Sequence, residues 1–347
     1  MRIAIIGCGA LGTIIGAYLA KGGCQVEMID SYKPNVDALN AQGARVTGEV
    51  EFTVPVTAVT PEEMSGIYDL VFLLTKQTAN DLVLPHLLQF LDVNSTVCTL
   101  QNGVPEPSVA SYVGQARTVG GTTNWSASFV EPGVSKLTQD LEKTEYIFNI
   151  GEMDGSITPR IQKIREILEL MGRPVKVTDS LMASRWGKLL INACASGMSA
   201  ACGATFGEVL DNPTSRACLA YIGHEVKQCC EAEGYQLPPI DGRFHLDSFA
   251  LEDQAMFEAS QNLFVDMFRI ARGGKASMLQ DLEKGKGTEV RMINGYVSQV
   301  GDKHGIDTPF CDTVVRIVSR IEAGEIPYSM ENLQYFDKGL FTFQTMS

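Results

Sequence analysis

A chain of 347 residues exceeds what a single core usually supports, so two domains of roughly 100–200 residues are expected. Hydrophobic residues at 45% and charged residues at 20% describe an ordinary globular protein, and 28 Lys plus Arg against 41 Asp plus Glu give a net charge of −13. That acidic balance argues against nucleic acid or an anionic membrane as partner, because most of the surface would repel either. The 9 cysteines show neither metal-ligand spacing nor an even framework, and adjacent Cys229 and Cys230 suit a structural disulfide poorly. Free thiols in a reducing, cytoplasmic compartment are therefore expected. His86, His224, His245 and His304 are scattered, so no metal site is expected. The uncharged runs 3–20 and 189–207 carry too many glycines or polar residues for a spanning helix and read as buried segments of a soluble protein.

In chain order, the first 178 residues alternate short apolar runs with helical periods, the pattern of a parallel sheet covered on both faces. Ile3 to Ile6, Val26 to Ile29, Leu70 to Leu74 and Val97 to Leu100 read as strands, with Thr118 to Gly120 and Tyr146 to Ile150 as weaker candidates. Thr60-Pro61-Glu62-Glu63 and Thr158-Pro159 each carry a capping hydroxyl and a proline at the first helical position, so helices are expected to start there. After Thr178 the strand pattern ends. Helical periods follow over 181–201, 214–233, 250–271, 289–303 and 308–323, so residues 179–347 read as an all-helical domain.

Gly7-Cys8-Gly9-Ala10-Leu11-Gly12 follows the first strand directly and opens a helix. In that context the first glycine makes a tight turn, the second lets backbone approach a pyrophosphate, and the third lets helix and strand pack closely. The second strand ends in Asp30, which can accept both hydroxyls of an adenosine ribose and would repel a 2′-phosphate. NAD(H) is therefore expected in preference to NADP(H), although Lys33 nearby leaves NADP(H) possible.

Lys188 and Asn192 stand four residues apart on one helix face, with Ser196 a turn later. Among Leu189, Leu190, Ile191 and Ala193, Lys188 is either a snorkelling surface lysine or a group with work to do. Glu289 after Thr288, a plausible helix cap, is either a dipole-compensating helix start or a functional carboxylate. Ser277 sits in a polar loop after Gly273-Gly274, while Lys76 and Asn102 follow the third and fourth strands, where an open α/β sheet binds ligands.

Taken together, the glycine-rich turn, Lys76, Gln101-Asn102-Gly103, Gly121-Thr122-Thr123, Trp186-Gly187-Lys188-Leu189 with Asn192, and Ser277-Met278-Leu279-Gln280-Asp281 with Thr288-Glu289 and Ile293-Asn294-Gly295 resemble the ketopantoate reductase (2-dehydropantoate 2-reductase) family. The resemblance implies a Rossmann domain followed by a helical domain of the 6-phosphogluconate dehydrogenase type. It also implies NAD(P)H-dependent reduction of a 2-oxo acid, ketopantoate to pantoate, in a cleft between them. It makes Lys188 the general acid, Glu289 the acid that tunes that lysine and meets substrate and cofactor, and Asn192 and Ser277 substrate ligands. Asn102 and Lys76 would line the nicotinamide side, Asn102 also meeting substrate. Three positions depart from the family pattern: Ser196 replaces a second asparagine, Phe206-Gly207 stands where Asn-Gly is common, and Asp30 stands in a family many of whose members use NADPH; the stretch 235–276 also looks longer than typical. Both Ser196 and Phe206 are counted among the substrate contacts, in a pocket less polar than the family's. The same mechanism on a more apolar 2-oxo acid is the first alternative. A non-catalytic NAD-sensing protein is the second. A homodimer is compatible with either.

Overall fold

In the computed structural model, which describes residues 1–240 and 244–343, the run Ile3-Ala4-Ile5-Ile6 lies buried within strand β1 (Arg2–Ile6). Strand side chains alternate faces, so β1 feeds two cores. Ile3 and Ile5 pack with Ile14, Ile15, Met28 and Phe72, whereas Ala4 and Ile6 pack with Ile29, Val71, Leu73 and Leu84. A strand with both faces covered needs no polar alternation, which is why the run reads as continuously apolar.

The chain divides into two units, Met1–Leu181 and Met182–Ser347. The first unit carries β2 (Gln25–Ile29), β3 (Ala44–Gly48), β4 (Phe52–Val54), β5 (Thr57–Val59), β6 (Leu70–Leu73) and β7 (Thr96–Thr99). It continues with β8 (Thr118–Thr123), β9 (Ala127–Glu131), β10 (Val134–Leu137), β11 (Phe148–Glu152) and β12 (Val175–Val177). Interleaved with them are α1 (Ala10–Lys21), α2 (Lys33–Gln42), α3 (Asn80–Leu87), α4 (Glu106–Val113) and α5 (Pro159–Leu168). Eight strands form one sheet in the order β12-β11-β8-β7-β6-β1-β2-β5. Its neighbours run parallel except β8 and β11, which are antiparallel, a departure from the parallel sheet expected. A second sheet, β4-β3-β10-β9, was not foreseen. Its strands are short and mix polar with apolar residues, as in Ala44-Arg45-Val46-Thr47-Gly48, so no run of useful length marks them.

Thr60 does form a capping box with Glu63, but only a single 3₁₀ turn, Pro61–Glu63, follows. Met64 is extended and Gly66 has φ of 66°, which ends the turn before a helix can propagate.

The second unit is helical: α6 (Leu181–Ile191), a π-turn over Asn192–Ser196, α7 (Gly197–Cys202), α8 (Phe206–Asp211) and α9 (Pro213–Ala232). Then come α10 (Gln254–Met267), α11 (Ser277–Glu283), α12 (Val290–His304) and α13 (Pro309–Glu322). The helix expected over 250–271 is shorter, because Leu251 is left-handed at φ 49° and Asp253 caps α10 by accepting from the Met256 amide at 2.8 Å. The segment after α13 is held down as well, since the Tyr221 hydroxyl accepts from the amides of Thr342 at 2.8 Å and Phe343 at 3.0 Å. Among the described residues no helix is long and apolar enough to cross a membrane. All 9 cysteines are free.

Candidate active site

Because β2, β1, β6 and β7 are parallel neighbours, the residues just after them gather at one edge of the sheet. That edge carries Gly7 to Gly12 after β1, Asp30 after β2, Lys76 after β6 and Asn102 after β7. It is also where strand order reverses about β1, the usual ligand crevice of an open α/β sheet.

The glycines have separable reasons. Gly7 has φ of 94°, and a Cβ there would lie 2.7 Å from the Thr75 amide nitrogen. At Gly12 a Cβ would lie 2.1 Å from the Gly7 carbonyl oxygen, so helix α1 can approach the turn only without one. Gly9, the residue capping α1, is different: a Cβ would meet nothing within 4 Å, and no side chain covers the helix amides. That leaves open space beside the helix N-terminus, where a pyrophosphate could be accommodated. Cys8 is buried, its thiol hydrogen-bonding toward the carbonyls of Ile5 and Ile29, and burial followed by the nearby Asp30 charge pushes its pKa well up. Ala10 and Leu11 begin α1 and remain partly exposed.

Asp30 accepts from the Tyr32 amide at 2.9 Å on one oxygen and from the Asn35 side chain at 3.0 Å on the other. Lys33, the one cation that stood near enough in sequence to counter a 2′-phosphate, pairs with Asp37 at 2.6 Å. Behind Lys76 and Asn102 lies an amide network that motif reading missed. Gln77 donates to the Asn102 carbonyl at 2.5 Å, and Gln101 donates to Thr75 at 3.2 Å and to Asn80 at 2.8 Å. It ties the loop after β6 to the loop after β7. The only sequence signal for it was an excess of amides beside the strand ends.

In the helical unit, Ser184, Lys188, Asn192 and Ser196 form a partly exposed stripe while Leu189, Leu190, Ala193, Cys194 and Ala195 are buried. Lys188 retains some exposed surface, yet its pKa is pushed down to about 7: burial is the largest cause, the Arg185 charge adds to it, and the Glu289 carboxylate opposes both. Arg185, itself 1% exposed, was not singled out from sequence. The two helices that carry these charges are joined twice. Trp186 meets Tyr296 of α12 with ring centroids 5.7 Å apart, and Asn294 of α12 donates to the Ala193 carbonyl, inside the π-turn, at 3.0 Å. A Cβ at Gly197 would come within 2.8 Å of the Asn294 side-chain oxygen, so that glycine admits the amide.

Glu289 occupies the cap position of α12, not its first turn; Thr288 does accept from a backbone amide, that of Val290 at 3.2 Å. Ser277 is the exposed first residue of α11, not part of a loop. Phe206 packs on Phe268 with centroids 4.5 Å apart, and its amide donates to the Gly274 carbonyl at 3.0 Å. Phe206 therefore braces the segment that leads into Ser277. Among the described residues no group of three or more His, Cys, Asp or Glu is placed to hold a metal ion.

Two family models match the chain, ketopantoate reductase PanE/ApbA over residues 3–154 and its C-terminal counterpart over 180–322. A 2-dehydropantoate 2-reductase of Archaeoglobus fulgidus is 28% identical over 93% of this chain and 98% of its own length. Among solved structures, 2-dehydropantoate 2-reductase from Geobacter metallireducens GS-15 is 26% identical with a TM-score of 0.76, covering 92% of this chain and 99% of its own. A ternary structure of D-mandelate dehydrogenase with NADH and anilino(oxo)acetate shares the fold at a TM-score of 0.79 and 23% identity, over 94% of this chain and 99% of that one.

The glycine geometry makes a paired test. Gly9→Ala is expected to melt within a degree or two of wild type yet bind NADH at least about tenfold more weakly, because the new methyl occupies only ligand space. Gly12→Ala should lose both stability and binding through the clash with Gly7. Fluorescence titration with NADH beside a thermal melt separates the two, and wild-type affinity in Gly9→Ala would show that no pyrophosphate rests there.

Proposed function

The chain belongs to the ketopantoate reductase family and is a nicotinamide-dependent oxidoreductase acting on CH–OH groups, and on that footing we propose that it reduces a 2-oxo acid to the 2-hydroxy acid with Lys188 as general acid. The observation that carries this reading is the depressed Lys188, held on the accessible stripe of α6 with Glu289 opposing its loss of charge. A reduced nicotinamide, when bound, would supply the hydride for the carbonyl carbon. As the carbonyl π pair moves onto oxygen, Lys188 gives that oxygen its proton, and the net change is 2-oxo acid plus NADH plus H⁺ to 2-hydroxy acid plus NAD⁺. An acid with a pKa near 7 is about half protonated at neutral pH and releases its proton readily, and its charge stabilises the developing alkoxide.

Around that step, Asn192, Ser196 and Ser277 supply hydrogen bonds to the substrate. Gly7, Cys8, Gly9, Ala10, Leu11 and Gly12 cradle the pyrophosphate, and Asp30 takes the ribose hydroxyls. Lys76 and Asn102 are assigned to the nicotinamide, and Glu289 to both substrate and cofactor. On this reading residues 1–178 hold the cofactor and 179–347 the substrate. Ketopantoate is the substrate the family name suggests. A second reading, a more apolar 2-oxo acid, is favoured by the Phe206–Phe268 pair standing where an amide is common. The D-mandelate dehydrogenase solved with NADH and anilino(oxo)acetate is in keeping with it.

Lys188→Ala should lower kcat by roughly 10²–10⁴ while NADH affinity stays near wild type. A variant that turns over at nearly the wild-type rate would remove Lys188 from the chemistry. For the wild type, only the protonated lysine can act in reduction, so kcat should be flat at low pH and fall as pH rises through about 7. A rate that climbs across that range would contradict the assignment.

With NADH, a panel running from ketopantoate to branched and aromatic 2-oxo acids decides the substrate. If Phe206 limits polarity, apolar acids should be used at least as well as ketopantoate, and Phe206→Asn should raise the relative kcat/KM on ketopantoate. A hundredfold wild-type preference for ketopantoate would instead establish the plain family substrate. NADH binding with no turnover of any acid would favour a sensor.

A further inference from the structure

Asn35 is fully buried near the start of α2, and its side chain bonds to groups at the candidate cofactor edge and to the turn between β9 and β10. Its side-chain nitrogen donates to the Cys8 carbonyl, inside the glycine-rich turn, at 2.9 Å and to the Asp30 carboxylate at 3.0 Å. Its side-chain oxygen accepts from the amide of Gly133, between β9 and β10, at 2.8 Å. One amide thus joins the phosphate turn, the ribose carboxylate and the second sheet, across 27, 5 and 98 residues of sequence respectively.

What this does to Asp30 follows from counting lone pairs. An ionised carboxylate offers about four acceptor positions, two on each oxygen. The Tyr32 amide uses one on the first oxygen and Asn35 one on the second, which fixes the plane of the group and leaves one position on each oxygen. Two acceptors side by side, held in one plane, suit two adjacent hydroxyls. They also cannot rotate away from a phosphate that replaces one of them.

We infer that Asn35 is a positioning residue for cofactor selection: it orients the Asp30 carboxylate so that a vicinal diol is accepted and a 2′-phosphate is refused. The inference rests on the reading of Asp30 as the ribose ligand. Without Asn35 the carboxylate can swing aside, so the diol loses an ordered partner and the phosphate meets less repulsion. The Gly133 bond keeps the amide itself from turning, which gives the second sheet a part in nucleotide recognition without touching the nucleotide.

The test is the ratio of kcat/KM with NADH to that with NADPH, measured with the full chain and one 2-oxo acid. Asn35→Ala is expected to lower that ratio about tenfold or more, mostly through a raised KM for NADH, with kcat at saturation within about twofold of wild type. Should Asn35→Ala not fold, Asn35→Ser carries the same comparison, because a hydroxyl is too short to bridge both Cys8 and Asp30. A purely structural asparagine would weaken both cofactors alike and leave the ratio where it was, and that result overturns the inference. Asp30→Ala is the control that separates the two claims. If it shifts the ratio and the Asn35 variants do not, this inference fails alone; if it leaves the ratio unchanged, the reading of Asp30 falls first. In an Asp30→Ala background, Asn35→Ala should have no further effect on the ratio.

Discussion

An ammonium group stripped of part of its water either finds compensation or gives up its proton, and at Lys188 the balance between those outcomes is held by two charges. Burial and Arg185 press the proton off while Glu289 holds it on, with the result near neutrality. Coulomb energies change with distance most steeply at close range and in poorly solvated surroundings. The balance therefore depends on how firmly α6, which carries Lys188 and Arg185, is fixed against α12, which begins at Glu289. The Trp186–Tyr296 ring contact and the Asn294 bond to Ala193 are that fixing. Both sit in motifs whose polar members draw attention, yet Trp186 and Asn294 are fully buried and act by holding helices together.

The π-turn has a related logic. Widening a helix from its usual i→i+4 bonding displaces carbonyls from their ordinary partners, which is why such turns are rare and tend to mark working sites. Here the Ala193 carbonyl is taken up from the neighbouring helix, so the widening is fixed by tertiary contact and not left to local strain. Gly197 is part of the same device, since any side chain there would press on the Asn294 amide. The end of the stripe, from Asn192 to Ser196, lies within this turn.

Much of the first unit could be read in advance because its signals are local. A doubly covered strand such as Ile3 to Ile6 is apolar throughout, and the glycine-rich turn announces itself by local geometry, Gly7 through its φ of 94° and Gly12 through the close approach of the Gly7 carbonyl. What escaped was whatever depended on pairing across distance. The second sheet is built from two hairpins of short strands, β3–β4 and β9–β10, that become one sheet only through the distant pairing of β10 with β3. The Thr60 capping box was a correct local signal with a wrong consequence, because a cap starts a helix but cannot sustain one against Gly66. Arg185 went unnoticed for a similar reason. A charged residue in an amphipathic period looks solvated until the fold buries it.

The same contrast separates the two sides of the candidate site. A dinucleotide is long and is held largely by backbone, so one turn and one carboxylate about twenty residues later suffice, and their spacing is set by a strand and a helix. A small oxo acid must be surrounded by side chains, and the candidates for that role are spread over α6, the π-turn, α11 and the cap of α12, with Lys188 and Glu289 meeting electrostatically although remote in sequence. Each such position is bound to others through packing, as Phe206 is to Phe268 and to the Gly274 backbone. A substitution at Phe206 would therefore act on the approach to Ser277 as well as on polarity. Any preference set at Phe206 would in that sense depend on how the segment 268–277 is braced, and polarity at that single position would report only part of it.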